Sequence, residues 1–251
     1  MIEIELIDVC GWKAAIRGMR NAKNSWDKSD SNFSCEFCGD CYWEYSLNSD
    51  GEQTWCNHGR CAIGDNDNNL MQTLADAGTD HGKFLRMIVV YLDINAPLYW
   101  WKEMDTYRVG VEKNSCSTMH KIHAKRFVLE DFSYDHLMTS HYDSFPIHGI
   151  YDGIVTSPVG MLVNTIKVLN VCREKYLETK DKRYWWQLIQ LLPSTYNQRR
   201  TCMISYAALR NMYHARKHHK LDEWRTFCAW IETLPYSEFI TGVKSECMTS
   251  N

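Results

Sequence analysis

The last hundred residues are dominated by apolar side chains at three- and four-residue spacing, a pattern that only helices packed on a core can bury. Ser157-Pro158 offers an N-cap followed by a first-turn proline. Val159, Leu162, Ile166, Leu169 and Cys172 then share one face of a helix. A second helix is predicted over about 181–192, ending at Pro193, and a third over about 203–217. A fourth starts near 220, with Trp224, Phe227, Cys228 and Ile231 in one stripe.

The first half mixes strands and helices. Residues 2–8 alternate like a half-buried strand, and 11–20 read as a short helix. Residues 67–77 fit a helix with Leu70, Leu74 and Ala77 on one face. Residues 85–95 read as a buried strand, with Pro97 opening the helix LYWWKEM. The spacing predicts an irregular loop over 105–117, a helix over 117–127 and a turn-rich stretch over 128–156.

Composition narrows the classes of function. The net charge of −3 gives no global basic field, so no nucleic-acid partner is expected. The longest apolar run, Met87–Leu92, is far too short for a membrane span. The opening MIEIELIDVCGW shows no basic segment followed by an apolar one, so no secretory leader and a cytoplasmic location are expected. In that compartment eleven cysteines read as thiols or metal ligands before disulfides. From 21 to 68 the chain is polar and weakly periodic, and 30–66 reads as a Cys-rich insertion. Cys35, Cys38, Cys41, Cys56, His58 and Cys61 offer six ligands where structural zinc needs four. An iron–sulfur cluster and plain surface thiols stay open as readings of the same residues. Cys10, Cys116, Cys172, Cys202, Cys228 and Cys247 are scattered and read as small hydrophobes.

Two ordered blocks carry a sharper signal, NAPLYWWKEMDTYRVGVEKNSCSTMH (95–120) and LLPSTYNQRRTCMISYAALRNMYHARKHHKLDEW (191–224). The first resembles the signature of the flavin-dependent thymidylate synthases. Counting from Pro97, Thr106-Tyr107-Arg108 falls on that family's Arg-His-Arg. After one inserted residue, Asn114 and Ser117 match, while Ser115, Met119 and His120 replace Glu, Arg and Tyr. Glu103 stands where the family has Gln. In the second block Leu192, Pro193, Leu209, Asn211 and Arg216 match without a gap, and His219 and Glu223 match after a one-residue shift.

The resemblance implies an α+β fold: a small sheet packed with helices in one domain spanning 1–251, with a mostly helical C-terminal half. It implies FAD, dUMP as methyl acceptor, methylenetetrahydrofolate as carbon donor, NADPH as reductant, and a homotetramer with sites between subunits. By that resemblance Arg216 and Ser117 are the catalytic candidates. Tyr107, Arg108, Asn114, Asn211 and His219 would bind cofactor, and Glu103, Ser115, Ser117 and Arg216 would bind substrate. Paired with backbone N–H groups, Ser117 could form an anion nest. Trp100 and Trp101 could stack on a ring, as could Tyr107.

Thr106, Tyr107 and Met119 replace polar or charged positions of the signature. A lost charged hydrogen bond costs about 1.5–3 kcal/mol. Lys102, Lys113, His120, Lys121, Arg199 and Arg200 are near enough in sequence to compensate. The expected function is therefore a divergent pyrimidine-nucleotide methylating enzyme. The alternatives are a nucleotide-binding protein on the same fold without flavin chemistry, or a zinc-stabilised interaction protein. His120 and His123 read as packed or solvated before metal-binding. The run 216–220 reads equally as an anion patch or as cations at a helix C-terminus.

Overall fold

A computed structural model describes residues 2–32, 45–47, 53–55, 63–139, 145–147 and 154–242. The six zinc candidates, Cys35 to Cys61, lie outside the described residues, as does Cys247. Among the described residues no group of three or more His, Cys, Asp or Glu is placed to hold a metal, and no helix is long and apolar enough to cross a membrane.

In chain order the elements are β1 (Glu3–Cys10), α1 (Trp12–Arg20), β2 (Tyr45–Leu47), β3 (Gln53–Trp55), α2 (Asp65–Asp76), β4 (Val89–Pro97), α3 (Leu98–Met104) and β5 (Val111–Ser115). There follow β6 (Phe145–Ile147), β7 (Ile154–Thr156), α4 (Pro158–Thr179), α5 (Lys182–Leu191), β8 (Asn197–Ser205), α6 (Tyr206–Arg216), α7 (Asp222–Glu232) and α8 (Glu238–Thr241). The main sheet has the order β1-β4-β8-β5, and β2-β3 and β6-β7 are antiparallel pairs. The described residues fall into two compact units. One comprises those of Met1–Glu3, Asn95–Thr106 and Ser115–Arg200; the other comprises those of Ile4–Ile94, Tyr107–Asn114 and Thr201–Asn251.

In the first unit, α4 begins as its sequence dictates: the Ser157 hydroxyl accepts from the Gly160 N–H and Pro158 fills the first turn. Leu162, Ile166 and Leu169 are buried, packed with Ile122, Phe127, Phe132 and Leu188. Residues 117–127 are not helical, because side chains take over the backbone groups a helix would pair. Ser117 Oγ accepts from the N–H groups of Met119 (3.2 Å) and His120 (2.8 Å). Buried Asn170 of α4 donates to the Phe127 carbonyl (2.9 Å) and accepts from the Phe127 N–H (3.0 Å).

In the second unit, Trp12 of α1 packs edge-on against Tyr206 of α6 (5.3 Å between centroids), and Tyr206 donates to the Pro235 carbonyl at 2.6 Å. Burial, with Glu238 adding to it, pushes the Tyr206 phenol well above its ordinary pKa, so it stays a neutral donor. Trp224, Phe227, Cys228 and Ile231 form the buried stripe of α7 that their spacing predicts.

Four expectations need correction here. The buried line of α2 is Asp67, Met71 and Ala75, while Leu70 and Leu74 are half-buried and Ala77 is exposed. The line rotates because Asp67 is drawn inward by buried Arg20, whose Nε donates to Asp67 Oδ1 at 2.6 Å. β4 starts at Val89, since Phe84 and Leu85 bury their side chains from a 3-10 turn (Gly82–Arg86), and Pro97 closes that strand as N-cap of α3. Residues 111–115 are a strand, β5, inside the expected loop. The third helix starts only at Tyr206, since 197–205 form β8.

Candidate functional site

Arg216 closes α6, where a cation meets the negative end of the helix dipole. Its Nε donates to the Tyr107 hydroxyl at 3.0 Å. Its guanidinium lies 4.8 Å from the Trp224 ring centre and 5.7 Å from that of Tyr107. The two rings meet edge-on at 6.0 Å, so the cation rests in a corner formed by two aromatic walls. Each such contact is worth roughly 0.5–2 kcal/mol, rising with desolvation. The His219 ring meets Trp224 at 6.3 Å, and its Nδ1 accepts from the Leu221 N–H at 3.2 Å, which fixes the turn after α6.

The loop carrying Tyr107 is fastened at its far end. The Gly110 carbonyl accepts from the Ser205 N–H at 2.8 Å, and the Ser205 hydroxyl caps α6 by accepting from Ala208 N–H. Gly110 has φ +71, and a Cβ there would lie 2.5 Å from Ser205 Oγ, so only glycine fits. Burial first, then Glu232, with Arg216 opposing, together push the Cys228 thiol up to about 11. Cys228 is a neutral packing group, not a nucleophile. Arg225 Nη1 donates to the carbonyls of His219 (3.0 Å) and Lys220 (3.4 Å).

Arg108, Asn114 and Asn211 are exposed, and among the described residues their side chains make no hydrogen bond. Asn211 lies about 140° around α6 from Arg216, so the two are not on one face. Tyr107, Arg216 and His219 are gathered round Trp224, a residue whose helical stripe signals core and gives no hint of an arginine above it.

The first unit holds the other candidates. Ser117 is exposed, and the backbone N–H groups expected to form an anion nest are bound to its own hydroxyl. Ser115 ends β5 and is exposed, and Glu103 is half-buried in α3. Trp100 and Trp101 are fully buried, which corrects their reading as stacking platforms. Trp101 Nε1 donates to the Gln198 carbonyl at 2.9 Å, and the Arg200 guanidinium lies 4.2 Å from the Trp101 ring. Arg200 also pairs with Asp105 at 2.8 Å, and its Nε donates to Gln198 Oε1 at 3.0 Å. Arg200 is thus held by Trp101, Asp105 and Gln198, the first two of them distant in sequence. His120 and His123 do not stand one helical turn apart, because 117–127 form no helix.

No family model matches the chain, and no curated protein matches it by sequence. In three dimensions the chain has the fold of the flavin-dependent thymidylate synthases. Thymidylate Synthase X (ThyX) from Helicobacter pylori, solved with FAD and dUMP, superposes with a TM-score of 0.60 at 14% identity, covering 96% of this chain and 97% of that one. The UMP/dUMP methylase PolB from Streptomyces cacaoi, solved with 5-Br dUMP, gives 0.57 at 15% identity over 96% and 95%. At such identities the likeness is one of fold.

Proposed function

We propose that the chain is a flavin-dependent enzyme that methylates dUMP, or a related pyrimidine nucleotide, at C5. Methylenetetrahydrofolate would be the carbon donor, and NADPH would reduce the FAD. The observation that carries this reading is Arg216, fixed against Tyr107 and Trp224 in a chain with this fold. A guanidinium held in one orientation can present its fork to a nucleotide without an entropy cost at binding.

The residues also suit the cofactor chemically. Arg108 offers an exposed guanidinium for a phosphate, and Asn114 and Asn211 offer exposed amides for a ring edge. Bound FAD would supply the hydride chemistry. Glu103, Ser115 and Ser117 are the substrate candidates of the first unit, with the Ser117 proton left to donate. A homotetramer accompanies this reading.

The second reading is a nucleotide-binding protein without flavin chemistry. It is favoured by Tyr107, which stands where the signature has His and whose hydroxyl is engaged by Arg216. The two separate on purification. A yellow protein with the absorbance of bound FAD, releasing tritium from C5-labelled dUMP, supports the enzyme. A colourless protein that cannot be loaded with FAD sinks it. Arg216→Ala is expected to weaken dUMP binding about ten- to a hundredfold, the equivalent of one charge-assisted contact. Unchanged affinity and release would remove Arg216 from the site.

A further inference from the structure

A group of side chains in the first unit gathers at the C-terminal end of α4, and the chemistry above uses none of them. Arg173, Tyr176 and Lys180 fall at i, i+3 and i+7, on one face of the helix end. The turn before Phe127 lies over that face. Arg173 Nε donates to the His123 carbonyl at 2.9 Å and Nη2 to the Ala124 carbonyl at 3.3 Å. The His123 ring meets Tyr176 edge-on at 5.0 Å, and Lys180 Nζ is 5.9 Å from the centre of the same Tyr176 ring.

The cluster has positive charge, and the nearby carboxylates among the described residues are paired elsewhere. Glu174 is paired with Arg126 at 2.9 Å, and Glu178 with Lys175 at 3.1 Å. Among the described residues no carboxylate pairs with Lys121, Arg173 or Lys180. His123 sits among these three cations, with its Nδ1 buried and, among the described residues, without a hydrogen-bond partner. Burial, then Lys180, Lys121 and Arg173, hold its pKa below the ordinary histidine value. Lys180 itself closes α4 at φ 57, a left-handed position where a side chain costs roughly 1–2 kcal/mol and glycine costs nothing. A lysine is therefore a poor choice for the backbone there.

We propose that Lys121, His123, Arg173 and Lys180 form a second anion site, which takes the phosphate or pyrophosphate group of a small molecule. Three cations and an imidazole match a multiply charged oxyanion better than a single carboxylate. The site shares no residue with the corner formed by Arg216, Tyr107 and Trp224, and does not depend on it. A bound dianion would favour the charged form of His123, against the field of Lys121 on its own turn and of Arg173 and Lys180 on α4.

The test is NMR of the His123 imidazole in the full-length protein at constant ionic strength. Inorganic phosphate, inorganic pyrophosphate and a nucleoside triphosphate are titrated separately. A saturable shift with a raised His123 pKa is expected, and affinity should fall about tenfold in Lys121→Ala and in Lys180→Gly. Lys180→Gly should keep or raise the melting temperature, because glycine suits its backbone, so the loss of binding cannot be a loss of fold. A triphosphate binding tighter than pyrophosphate identifies a nucleotide as the source; equal affinities identify free polyphosphate. A shift reproduced by sodium chloride, or equal affinity in both variants, overturns the proposal. FAD content and tritium release are separate readouts, so failure here and failure of the enzyme reading are told apart.

Discussion

Arg20 and Asp67 stand 47 positions apart and are both buried, and Asp67 also accepts from the hydroxyls of Ser29 (2.7 Å) and Ser31 (2.6 Å). Burial alone would raise the Asp67 pKa; the bonds from Ser31, Ser29 and Arg20 outweigh it and leave the carboxyl below its ordinary value. A lowered folded-state pKa means stability that is present above about pH 4 and is lost as the pH falls through the lower folded value. Asp67→Asn strands a buried guanidinium, so a loss of about 3–5 kcal/mol is expected in urea unfolding, with a flatter acid limb. A loss under about 1 kcal/mol would show that Arg20 finds another partner. At this scale the sequence is legible only in part. Arg216 is readable from a motif, whereas Trp224 shows only as a core residue and Asp67 only as one more acid in a polar run.

Helices α4, α5 and α7 are readable because their apolar spacing agrees with the Ser157 cap of α4, with Pro193 after α5 and with the buried stripe of α7. β5 and β8 are not. VEKNS buries only Val111, and the arginines of NQRRTCMIS carry no strand signal, so pairing within the sheet decides their state. The turn over 117–127 is hidden for a related reason, since its conformation is set by Asn170 and Arg173, more than 40 positions away. Asn170→Ala leaves the buried Phe127 N–H and carbonyl without partners, at about 1–3 kcal/mol each. Faster amide exchange at Phe127, with α7 protection unchanged, is the expected outcome. Uniform loss across the chain would show that the clasp supports more than its own turn.

For the whole molecule, the proposed ligands provide a measure independent of catalysis. A ligand at a hundred times its Kd stabilises the folded state by about 2.7 kcal/mol, which for a chain of this size is roughly 5–10 °C in Tm. Saturating dUMP should raise the melting temperature by that order in the natural protein, and by far less in Arg216→Ala. Equal shifts in both would place the nucleotide elsewhere. A last consequence concerns length. The segment 107–110 is tied to α6 twice, by Gly110 at its cap and by Tyr107 at its final residue, about 16 Å further along. The helix therefore acts as a gauge block between two fixed stops. Replacing its outward-facing residues should be tolerated, but inserting or deleting one residue within 206–216 would swing Arg216 by about 100° and carry it off Tyr107.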